Sequence, residues 1–141
     1  MEAKPLVAAD LLLLKPQPWQ CRPEYELTPD YCEFLQEHSE YAQTIWHNGQ
    51  IVAAGGAVKI WENRAEVWML LSADCGRAFV GVNRIANAFL DSLPYRRIET
   101  TCEQGFEQAH RWLSMLRFRH ECTAQAYMPD GRDIDIYVRI K

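Results

Sequence analysis

A change of hydrophobic period is the strongest constraint on how this chain can fold. Tyr41 to Trp46 reads as a strand, and His47-Asn48-Gly49 reads as a hairpin turn in which Asn-Gly supplies the positive φ angles. Gln50 to Ile60 returns as a second strand, with Gly55-Gly56 marking a bulge or a close backbone approach. Trp61-Glu62-Asn63-Arg64 turns again into Ala65–Ser72. This third strand is apolar on both faces (Val67, Trp68, Met69, Leu70, Leu71), which places it centrally in a sheet. The period then switches from two to about 3.6: Phe79, Val82, Ala86, Phe89 and Leu93 define one buried helix face, and Pro94 ends the helix. Arg96–Cys102 is a short strand. Strand, helix, strand from 65 to 102 is a crossover unit, so those two strands are parallel and joined right-handedly.

The flanks complete the pattern. Residues 4–8 form a short strand leading into a helical turn at Asp10–Lys15, and prolines 16, 18 and 23 make an irregular crossing. Thr28-Pro29-Asp30 starts a helix that runs to about His38, with a capping hydroxyl followed by proline at the first helical position. A second amphipathic helix buries Phe106, Ala109, Trp112, Leu113 and Leu116. The C-terminus is a hairpin of Phe118–Tyr127, Pro129-Asp130-Gly131 and Ile134–Ile140. The expected architecture is a single α/β domain over 1–141, with a mixed, mostly antiparallel sheet of about six to seven strands and helices on both faces.

Composition narrows the class. The 141 residues are 48% apolar and 24% charged, as in ordinary globular domains. No window approaches a membrane span, and no signal peptide is expected. Net charge is −4; residues 1–75 carry 5 basic and 11 acidic groups, residues 76–141 carry 10 and 8. That falls short of a nucleic-acid footprint. Cys21, Cys32, Cys75, Cys102 and Cys122 are odd in number and widely spaced, so neither a disulfide framework nor a metal site is expected. Cys75 stands before a helix, where a thiol ionises more easily.

The run Glu107-Gln-Ala-His-Arg-Trp-Leu-Ser-Met-Leu-Arg-Phe118, then His120-Glu121 and Pro129-Asp130-Gly131-Arg132, resembles the last helix and closing hairpin of the GNAT (Gcn5-related N-acetyltransferase) fold. The element order resembles that fold over essentially the whole chain. A closer likeness is to small bacteriophage-encoded proteins of this type, including small internal virion proteins of podovirus-type phages. The resemblance implies an acyl-CoA cleft. Its pyrophosphate would be cradled by backbone N–H groups of a Q/R-x-x-G-x-G/A loop opening a helix. The matching stretch here is Ala73–Gly81, and the implied cofactor positions are Leu71, Ser72, Gly76, Arg77 and Ala78. The implied general base is Glu66, or Glu62 in the turn before it, with His110 and His120 as further candidates.

Three departures from the family pattern stand out. The G-x-G/A pair of the loop is not convincingly reproduced, and Asp74 adds negative charge there; Leu113 occupies the position where the family often carries a tyrosine acid; Arg117 replaces the glycine of Leu-Gly-Phe. Arg111, Arg117 and Arg119 cluster at the helix end, and Trp46 and Trp61 flank turns as interface anchors. The sequence therefore reads as a degraded acyl-CoA site in a virion-associated structural or interaction protein. Its expected location is the virion or host cytoplasm. Other virion proteins are its expected partners, self-association is a further option, and neither nucleic acid nor a membrane is among them. The alternative is an active N-acetyltransferase using acetyl-CoA on a primary amine.

Overall fold

The computed structural model describes residues 1–141. Its elements follow in the order β1 (Glu2–Pro5), α1 (Ala8–Leu11), α2 (Pro29–His38), β2 (Tyr41–His47), β3 (Gln50–Trp61), β4 (Arg64–Leu71), α3 (Phe79–Ser92), β5 (Arg97–Glu103), α4 (Glu107–Met115), β6 (Arg119–Ala124) and β7 (Ile134–Ile140). The seven strands form one mixed sheet in the order β1-β2-β3-β4-β5-β7-β6. β4 lies at its centre, as a strand apolar on both faces requires. No helix is long and apolar enough to cross a membrane. The chain divides into two compact units, Met1–Lys59 with Val67–Leu93, and Ile60–Glu66 with Pro94–Lys141.

In the first unit, Asn48 and Gly49 close the β2–β3 hairpin at φ 51° and 73°, which sets the register from His47↔Gln50 to Tyr41↔Ala57. The one register shift falls between Ile45 and Trp46. Gly55-Gly56 is therefore a close approach and not a bulge: a Cβ on Gly56 would lie 2.8 Å from Trp68 Nε1 and 2.9 Å from Ala42 Cβ. The Trp68 indole N–H donates to Ser39 Oγ at 2.9 Å. Beneath lie Leu6, Leu11, Leu14, Cys32, Leu35, Ile51, Ala54 and Leu70, with Trp46 and Trp68 packed against them.

α2 begins as its residues dictate. The Thr28 hydroxyl accepts from the Tyr31 N–H at 3.2 Å, Pro29 occupies the first turn, and Asp30 complements the positive end of the helix. Thr28→Ala should lower stability by about 1 kcal/mol, read as a lower midpoint in urea with an unchanged slope. In α3 the buried residues are Val82, Ala86 and Leu90, followed by Leu93. Phe89, expected on the inner face, is half-buried at its margin, because the stripe follows the i, i+4 row and Leu90 takes the centre.

In the second unit, β4 and β5 pair in parallel through Arg64↔Arg97, Ala65↔Ile98 and Glu66↔Glu99. β7 pairs with β5 from Arg97↔Ile140 to Glu103↔Ile134 and also with β6. The C-terminal hairpin thus runs out to the edge strand β6 and returns inside, so β7 is mostly buried and β6 mostly exposed. After α4, Arg117 adopts φ 64°; its N–H reaches Ser114 O at 3.0 Å and the Phe118 N–H reaches Leu113 O at 2.9 Å. This is a helix stop built on a left-handed residue, the conformation for which the resembled family uses glycine. Arg117→Gly should gain about 1 kcal/mol and raise the melting temperature.

Candidate active site

The first unit carries the segment that leads from β4 into α3. Leu71 and Ser72 have engaged N–H groups, on Gln20 Oε1 at 3.1 Å and Val52 O at 2.9 Å. Ala73 donates to Lys15 O, Asp74 to Ser72 Oγ, and Cys75 to Ser72 O. A single 3₁₀ turn, Gly76–Ala78, then runs directly into α3: Ala78 donates to Cys75 O and Phe79 to Gly76 O. Gly76 and Arg77, the first two residues of that turn, send their N–H groups to no acceptor in the protein. The 14-residue α3 behind them adds its positive end.

Gly76 sits at φ 49°, and a Cβ built there would meet nothing within 4 Å, so the approach to these donors is open. The Arg77 side chain is exposed, while Ser72 and Ala78 are buried and Leu71 half-buried. Two unbonded N–H groups, an exposed guanidinium and a clear approach fit a pyrophosphate. The exposed Asp74 carboxylate opposes that charge. Beside this segment is a cleft of about 250 Å³ lined by Lys15, Trp46, Gln50 and Asp74 among others. Cys75 is buried, and burial pushes its thiol pKa up, so it is not the ionised thiol that its place before a helix suggested.

The second unit holds Glu66. It is an exposed residue, yet its carboxyl pKa lies above the ordinary value: local desolvation is the larger cause and repulsion from Glu99 the next, against the pull of Arg64. Glu99 is buried and accepts from Arg64 Nη2 at 2.6 Å and Nε at 3.1 Å, and from Arg97 Nε at 2.7 Å. Burial works to raise its pKa, but the two arginines outweigh it and hold the carboxyl low. Arg97 also grips Glu121 through Nη1 at 2.9 Å and Nη2 at 2.5 Å. The Arg64 guanidinium lies 4.6 Å from the centre of the exposed Trp61 ring. Glu62 is exposed in the turn.

His110 and His120, candidate bases on sequence, are both tied into a network. His110 Nε2 is 3.0 Å from the Glu103 carbonyl, which can only accept, so Nε2 carries the proton and Nδ1 accepts from the Tyr137 hydroxyl at 2.6 Å. His120 Nε2 meets Asp135 Oδ1 at 3.0 Å, and Thr123 donates to the same oxygen at 2.6 Å. Neither ring is a free surface base. Cys102 is buried nearby, with its thiol pushed up to about 12 by burial and then by Asp135 and Glu103.

Burial alone would raise Asp135, but hydrogen bonds from Thr123, His120 and Gln104 bring its pKa below the usual value. A carboxyl lowered on folding contributes stability that is present above its unfolded pKa of about 3.9 and drains as pH falls through the folded value. Asp135→Asn should therefore flatten the acid limb of the stability curve below about pH 4, measured by urea unfolding across pH.

The fold matches solved acetyltransferases. Ard1 from Thermoplasma volcanium aligns over 99% of this chain and 96% of its own at a TM-score of 0.82 and 14% identity. A mutant of the spermidine N-acetyltransferase SpeG from Vibrio cholerae aligns over 99% and 95% at 0.70 and 13%. A Bacillus subtilis acetyltransferase in complex with CoA aligns over 79% and 83% at 0.67 and 10%. No family model matches the sequence, and no curated protein matches it. An acetyltransferase of the GNAT family from Bacillus anthracis aligns over 98% of this chain and 93% of its own at 0.72 and 11%, so the chain has the GNAT fold. The virion-associated structural role read from the sequence does not stand: solved structures that share this fold across nearly the whole chain include acetyltransferases, the SpeG mutant among them, and nothing found links the chain to virion proteins. The loop keeps unbonded N–H groups at Gly76 and Arg77, while Asp74 and Leu113 remain departures from the family pattern.

Proposed function

We propose that the chain is an acyl-CoA-dependent N-acetyltransferase whose acceptor is a primary amine. The observation that carries this reading is the open start of the turn before α3. There, Gly76 and Arg77 present unbonded N–H groups in a fold shared with acetyltransferases. Acetyl-CoA supplies the activated acetyl group, whose transfer forms a C–N bond and breaks the C–S bond. The Gly76 and Arg77 N–H groups and the Arg77 guanidinium hold the pyrophosphate. Leu71, Ser72 and Ala78 shape the segment from β4 to α3, and their backbone N–H groups are already engaged.

Glu66 takes the proton that the amine must lose, directly or through one water. A pKa above the ordinary carboxylate value makes it the better base. Leu113 is buried and has no ionisable proton to give to the departing thiolate. The test is release of free CoA thiol, with mass-spectrometric detection of the acetylated product, over a panel of primary amines that includes polyamines and peptide N-termini. Amine-dependent release is expected with at least one of them. Absence of release with every acceptor, together with absence of acetyl-CoA binding, would overturn the reading.

A further inference from the structure

One face of the second unit gathers six charged side chains from three strands. Glu66 and Glu99 are register partners on parallel strands, as are Arg64 and Arg97 two residues before them, so all four leave the same face of the sheet. Glu121 joins them from β6, where the register shifts between His120 and Cys122 and re-aims the extra residue. Arg64 and Arg97 thus meet three carboxylates, and Arg119 of β6, in register with Glu99 through Val138, adds its charge beside Glu121. Arg64 spends two of its nitrogens on Glu99, and Arg97 divides itself between Glu99 and Glu121. Glu66 is the carboxylate left over.

We infer that the chain Arg64–Glu99–Arg97–Glu121 is a positioning device that keeps Glu66 free of an ion-pair partner, and so sets the pH at which it accepts a proton. The inference rests on the proposed role of Glu66 as the base and names what regulates that site. The geometry explains why an arginine two residues away does not neutralise Glu66: Glu99 draws the guanidinium across to β5 and holds it there. Glu99 also places its own negative charge beside Glu66. An ion pair between Arg64 and Glu66 would instead leave a carboxylate that binds protons weakly and makes a poor base.

The experiment follows the carboxyl carbon of Glu66 by NMR through a pH titration in the wild type, in Glu99→Gln and in Arg64→Gln. The acid limb of kcat/KM is recorded for each protein. In Glu99→Gln the neighbouring charge is gone and Arg64 is released toward Glu66. Its midpoint should fall by about one pH unit, and the acid limb should move down with it. In Arg64→Gln a positive charge that pulls on Glu66 is gone and the midpoint should rise. A merely structural role would lower activity at every pH without moving the limb. If Glu99→Gln does not fold, the upward shift in Arg64→Gln decides alone. A Glu66 midpoint that stays put in the folded variants overturns the inference. If the midpoints move as expected while no protein acetylates an amine, the coupling stands and the acetyltransferase reading falls.

Discussion

Glu66→Gln should lower kcat for amine acetylation by about a hundredfold or more, the typical contribution of a positioned general base. The substitution keeps size and hydrogen-bonding capacity but is neutral at every pH, so it removes proton acceptance and little else. Glu66 is exposed and makes no bond to either arginine of its face, so the variant should fold with the wild-type melting temperature. Acetyl-CoA affinity should also be unchanged, because the candidate pyrophosphate donors sit at Gly76 and Arg77. The pH profile is the sharper readout. The wild-type acid limb should fall above the ordinary carboxylate range, since the Glu66 pKa is raised, and should vanish in Glu66→Gln. A variant that retains the wild-type rate and limb would show that another group, or water alone, takes the proton.

The largest stability effect is expected at Gly56. A methyl group there would fall 2.8 Å from Trp68 Nε1, 2.9 Å from Trp68 Cε2 and 2.9 Å from Ala42 Cβ. The Ala42 carbon is fixed to the backbone of β2, and the indole is held by its bond to Ser39 Oγ, so neither yields cheaply. Overpacking together with a strained or broken hydrogen bond should cost about 2–4 kcal/mol. Thermal unfolding of Gly56→Ala should therefore come about 6–15 °C below the wild type. Gly55→Ala is the comparison: its added carbon meets Trp68 O at 3.1 Å and Met69 Cγ at 3.4 Å, and the flexible methionine can move aside. The loss at position 55 should be clearly smaller. Equal losses would mean that Trp68 does not set the spacing of β3 and β4.

What the sequence disclosed depended on the distance over which its signals act. The Thr28 cap, the Asn48-Gly49 turn and the stop before Pro94 are set by neighbouring atoms, and all three stand where the residues placed them. The two-sided apolar run at Val67–Leu71 also foretold the central strand. The return of β7 between β5 and β6 was hidden, because a hairpin reads the same whichever of its strands pairs inward. Equally hidden was the ion chain, whose partners are 35 residues apart between Arg64 and Glu99 and 24 between Arg97 and Glu121. A signal for it existed: Arg-x-Glu occurs at the start of both strands of the parallel pair, which puts like charges side by side unless arginine and carboxylate cross over.

The segment before α3 is hard to read from sequence for a different reason. Its side chains depart from the family pattern, so the sequence read as a degraded site, yet the donors are backbone N–H groups that any residue other than proline carries. What makes them available is that the chain before Gly76 offers them no acceptor, and that is a property of the fold. The surroundings of the histidines are equally invisible in sequence: His110 and His120 stand among arginines along the chain, but Tyr137, Glu103 and Asp135 engage them in the fold.

The central claim, that this fold retains a working acyl-CoA site, is tested most directly by isothermal titration calorimetry of the purified protein with acetyl-CoA. Desulfo-CoA serves as a ligand that cannot react. Both should bind in the micromolar range. Arg77→Ala, which removes one charge-assisted contact, should weaken each by about tenfold or more. Absence of heat at millimolar ligand, or binding indifferent to Arg77, would contradict the account at its base.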